Sequence, residues 1–167
     1  MNRTIRKNTF ETNSSSIHSL TINQDSQVKD FSDVDFEIEP FTYRDFYDFG
    51  NVFTDLKDKL RYLWTIRCYE QDNGDDNFVD EFTSMLKSIF PKVIFRDVEN
   101  VPYMEDYEDI INDPKILDET FVKKLLNDGK IVFTSRDYYY DDYESELFID
   151  SVRKNSENHD LTIYSEG

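Results

Sequence analysis

One cysteine, Cys68, stands in 167 residues, and a lone thiol excludes any disulfide within the chain. A reduced, cytoplasmic setting is the expectation. Only four glycines and four prolines interrupt the chain, which favours regular elements joined by short connections. No apolar run approaches the ~20 residues that a bilayer-spanning helix needs. No secretory leader is expected either, because the basic start runs into polar residues 12–16 where an apolar stretch would be required. Two histidines and one cysteine, far apart, cannot build an ordinary zinc site without several carboxylates. There is no glycine-rich phosphate loop, no dinucleotide fingerprint and no nucleophile elbow. The run Asp72-Asn-Gly-Asp-Asp76 misses the spacing of a calcium loop and lacks its closing Glu, so it reads as an ordinary loop. Neither a metal nor a cofactor is expected.

Basic residues are scarce as well, and here the shortage becomes the main signal. Nineteen Lys and Arg face 36 Asp and Glu, a net charge of -17. Arg3, Arg6 and Lys7 concentrate positive charge in residues 1–8, so the remaining chain is more acidic still. Such a body repels nucleic acid and anionic membrane and attracts basic surfaces. Surplus carboxylates also keep proteins soluble, so the charge has a plain reading beside the functional one.

A hydrophobic content of 38%, with 16% aromatic, suffices for a core, and the length suits one domain spanning residues 1–167. Val52, Leu56, Leu60, Leu63, Trp64 and Cys68 recur at three- and four-residue steps, which predicts a helix over residues 51–70. Asp55, Asp58, Lys59 and Arg61 fall off that apolar stripe. A second helix over 78–90 carries Phe82, Met85, Leu86 and Ile89 inward, ends at Pro91, and forms a hairpin with the first. Pro114 opens a third to about residue 127, with Gly129 as its cap. Residues 143–153 suit a short helix. Strands are expected at 17–23, 92–98, 130–135 and 161–165, and residues 36–39 are placed beside the first. The expected fold is α+β, a small mixed or antiparallel sheet covered by three or four helices.

Two segments are candidate sites. The first crowds Arg6, Glu11, Asn13, Ser14, Ser15, Ser16 and His18 between a basic start and a strand. Hydroxyls and amides in such a turn can hold a phosphate or carboxylate, and His18 could activate one of the serines as a general base. The alternative is a turn closed by side-chain-to-backbone hydrogen bonds, with Phe10 and Leu20 anchored in the core.

The run RKNTFETNSSSIHSL resembles the start of a group of small proteins of low-GC Gram-positive bacteria and their phages. These begin with an Arg-containing segment, then Phe-Glu-Thr-Asn-Ser-Ser-Ser, a variable residue and His-Ser. The resemblance covers residues 6–20 and carries no catalytic role. It implies a phage or mobile-element context, in which counter-defence is one option. In general character, small and acidic, the chain is similar to anti-CRISPR and anti-restriction inhibitors.

The second candidate is acidic and aromatic, comprising Asp137, Tyr138, Tyr140, Asp141, Asp142, Tyr143 and Glu144, with Tyr103, Glu105, Asp106, Tyr107 and Glu108 in a related stretch. Carboxylates spaced along a surface imitate a phosphate backbone, and tyrosine rings add contact area at little entropic cost. The alternative is a solvated loop whose tyrosines partly cover the core. The leading expectation is a non-enzymatic inhibitor of a basic nucleic-acid-binding host protein, a CRISPR effector nuclease first among them, making no direct contact with nucleic acid. The competing one is an enzyme that uses the N-terminal Ser/His turn on a phosphorylated or nucleotide substrate.

Overall fold

The computed structural model describes residues 17–42, 45, 51–98, 101, 107–133 and 162–166. Strand β1 (Ile17–Thr21) lies inside a four-stranded antiparallel sheet of order β3-β5-β1-β6, with β3 at Asn51–Phe53, β5 at Lys130–Phe133 and β6 at Thr162–Glu166. His18 pairs with Phe133 and Leu20 with Ile131, while Leu20 stands opposite Ile163 on the other side. Because side chains alternate across a strand, His18, Leu20, Ile131 and Phe133 share one face. All four are buried.

A separate two-stranded parallel pair joins β2 (Glu37–Ile38) to β4 (Ile94–Phe95). Residues 36–39 therefore do not pair with β1 as the sequence suggested. They lie against β4, where Phe36 and Ile38 accept backbone hydrogen bonds from Ile94 and Arg96.

Helix α1 (Leu56–Asn73) begins later than the apolar spacing implies. Asp55 holds an extended backbone and its carboxylate accepts the Asp58 amide at 3.0 Å, so the helix starts after Asp55. Residues 51–53 stay extended and pair with β5, which leaves Val52 on an edge strand, 44% exposed, and not on a helix face. Gly74 ends α1 in the left-handed conformation (φ 99°), and Asp75 caps α2 (Asp76–Ile89) by accepting the Phe78 amide. The run 72–76 is thus the turn of a helical hairpin.

Helix α3 (Glu108–Asn112) and a short 3-10 turn (Pro114–Leu117) lead to α4 (Glu119–Asp128). Asp118 starts α4 by accepting the amides of Thr120 and Phe121, so the helix expected from Pro114 is two pieces. Among the described residues, four helices and two small sheets share one core, an α+β fold.

Helix α1 lies at the centre. Beyond its expected stripe it also buries Lys59, Tyr62, Thr65, Ile66 and Glu70, because neighbours close on several of its sides. Tyr62 meets Phe53 and Phe133 of the sheet, and Trp64 packs on Phe95 with ring centroids 4.6 Å apart. The Arg67 guanidinium lies 4.7 Å over Trp64 and donates to Thr83 of α2 and to Asp97 beyond β4.

Candidate functional site

Among the described residues, α1 carries several polar contacts built into the interior, three of which involve ionisable side chains. His18 exposes none of its surface, and its Nδ1 shares a 2.7 Å hydrogen bond with the Tyr62 hydroxyl while its ring stands 4.7 Å from Phe133. Burial pushes the Tyr62 hydroxyl well above its ordinary pKa. Lys59, which lies off the apolar stripe, is fully buried. Its ammonium donates to the carbonyls of Leu125 (2.8 Å) and Gly129 (2.9 Å), closing the C-terminal end of α4. Burial lowers the Lys59 pKa, and the charges of Asp128 and Asp55 oppose that. The third contact joins Glu70 to Tyr107, whose hydroxyl donates to the carboxylate.

Tyr107 is a correction to the aromatic surface expected from the sequence. It is 8% exposed, its ring meets Tyr69 edge-on at 4.9 Å, and burial followed by the Glu70 hydrogen bond raises its pKa. Its area is spent inside the protein. Glu108, the next residue, is exposed in the first turn of α3, where a carboxylate suits the helix dipole. Tyr103, Glu105, Asp106, Asp137, Tyr138, Tyr140, Asp141, Asp142, Tyr143 and Glu144 lie outside the described residues, and so do Arg6, Glu11, Asn13, Ser14, Ser15 and Ser16. The helix expected at 143–153 lies outside them too.

Cys68 borders a small open cleft of about 230 Å³ with Gln71, Asp72, Asp97 and Val98. Its thiol donates to Asp97 at 3.4 Å, and burial, with the Asp97 charge second, pushes its pKa up to about 12. A thiol so placed stays protonated near neutral pH and is a poor nucleophile. Among the described residues, no group of three or more His, Cys, Asp or Glu side chains is placed to hold a metal ion, and no helix is long and apolar enough to cross a membrane.

The outer surface carries a feature that the sequence reading passed over. From Asp35 to Pro40 polar and apolar residues alternate: Asp35, Glu37 and Glu39 are exposed, Phe36 is half-buried, and Ile38 and Pro40 are buried. Glu37 lies in β2, and Asp35 and Glu39 flank it at two-residue spacing, so three exposed carboxylates follow one another along this stretch. Asp30 and Asp33 stand exposed just before them. Lys92 meets Asp33 at 2.7 Å, and Arg96 grips both oxygens of Glu37 in a fork. That fork lowers the Glu37 pKa and raises that of Arg96. Asp35 and Glu39 make no ion pair among the described residues. A second acidic region surrounds the hairpin turn, where Asp72, Asp75, Asp76, Asp80 and Glu81 are all exposed. The period-two pattern of Asp-Val-Asp-Phe-Glu-Ile-Glu over 33–39 was the legible signal.

No protein-family model, curated protein or solved structure matches this chain.

Proposed function

We propose that this protein is a non-enzymatic counter-defence inhibitor, encoded by a phage or mobile element, that binds a basic nucleic-acid-binding host protein. A CRISPR effector nuclease is the first target to test, because its nucleic-acid channel is strongly positive. Inhibition then proceeds by occupation: the acidic surface fills a groove lined by Lys and Arg and excludes guide or target strands, with no bond made or broken. In this reading the acidic, tyrosine-rich sequence at 103–106, Glu108 and 137–144 supplies further carboxylates and rings for the contact, the buried Tyr107 excepted.

The observation that carries it is the carboxylate row at Asp35, Glu37 and Glu39. Repeated negative charge along one edge is what a groove lined by Lys and Arg for a phosphate backbone accepts. Arg96 on Glu37 supports the reading from within the chain, since a guanidinium just after β4 already grips one of these carboxylates in two-point geometry. Both side chains of the pair are about half exposed, so a partner's arginine can reach Glu37 and compete with Arg96 for it.

The test is capture of purified CRISPR effectors by the tagged protein, washed at rising salt, with wild type beside Asp35→Lys/Glu39→Lys. Binding that weakens steeply between low and physiological ionic strength, and is lost in the doubly reversed variant at unchanged melting temperature, is the expected result. Retention that ignores both salt and charge reversal overturns the proposal.

A further inference from the structure

We draw no further inference here: the strongest candidate, the open cleft beside the helical hairpin bounded by Cys68, Gln71, Asp72, Asp97 and Val98, offers two carboxylates and a thiol already hydrogen-bonded to one of them, and nothing in the structure shows what ligand would enter it.

Discussion

His18 on the inner strand β1 and Tyr62 on the central helix α1 are 44 residues apart in sequence and share a 2.7 Å hydrogen bond with no exposed surface on either side chain. The contact fastens the sheet to the helix that most of the core is built on. It also sets the two expectations for His18 against each other. A general base at the protein surface is dispensable for folding, whereas a buried imidazole bonded to a buried phenol is part of the scaffold. Tyr62→Phe should destabilise the protein by about 1–3 kcal/mol, the cost of removing one partner from a buried hydrogen bond. His18→Ala should cost more, because it adds a cavity against Phe133. Urea unfolding of both variants checks this. A His18→Ala protein as stable as wild type would reopen the catalytic reading.

Lys59 makes a prediction whose sign depends on pH. Burial lowers its folded pKa below the ordinary 10.5. Between the lowered value and 10.5 the unfolded chain therefore holds more protons than the folded one, and stability contributed by this group rises with pH. Lys59→Met removes that dependence and leaves the Leu125 and Gly129 carbonyls without their donor, at about 1–3 kcal/mol for each. The stability of wild type minus Lys59→Met, followed by denaturant titration, should be positive at neutral pH and grow as pH approaches 10.5. A difference that shrinks over that window would mean the carbonyls, Asp55 and Asp128 hold the charge more strongly than burial disfavours it.

Two glycines should respond to alanine for different reasons. Gly129 has an ordinary φ of -74°, yet an added Cβ would lie 2.6 Å from Leu125 Cα, 2.7 Å from Leu125 O and 2.9 Å from Thr21 O. All three are backbone atoms and cannot rotate away. Gly129→Ala should cost about 3 kcal/mol, at the upper end of overpacking penalties, and loosen the junction of α4 with β5. Gly74 has open space around it but a φ of 99°, so Gly74→Ala should cost only about 1–2 kcal/mol through backbone strain. Thermal unfolding of both variants would show the order, and a Gly129→Ala protein as stable as Gly74→Ala would contradict this packing.

Cys68 should be protected from alkylation. With its pKa pushed up to about 12, the native thiol carries almost no thiolate at pH 8, and iodoacetamide should modify it far more slowly than in the unfolded chain. Asp97→Asn removes the neighbouring negative charge and should speed the reaction, with burial still holding it below the unfolded rate. Mass spectrometry of a labelling time course reads both effects. Equal native and unfolded rates would contradict the described surroundings of the thiol.

Periodicity made much of the architecture legible. Spacing at three and four residues located the helical hairpin, and β-branched runs located β1, β5 and β6 close to their observed bounds, while the strand expected over 92–98 narrows to Ile94–Phe95. It misplaced the start of α1, because Val52 happens to stand four residues before Leu56 while Asp55 caps the helix between them. Lys59 lies off the apolar stripe of α1 yet is buried. Its acceptors are carbonyls more than 60 residues away, which no local window contains. Tyr107 failed as a surface residue for the same reason, its partner being Glu70 on another helix. The carboxylate row at 35–39 was present as a two-residue alternation but was read only as a short strand.

The sequence by itself determined the acidity, the α+β class and the apolar faces, since these follow from residue counts and from the 3.6- and 2-residue periods of the backbone. Only the tertiary structure decided that β2 joins β4 instead of β1, that α1 is enclosed on several sides, and that His18, Lys59, Glu70 and Tyr107 are interior groups. The physical reason is that a polar side chain is buried only where a partner meets it, and those partners come from distant parts of the chain.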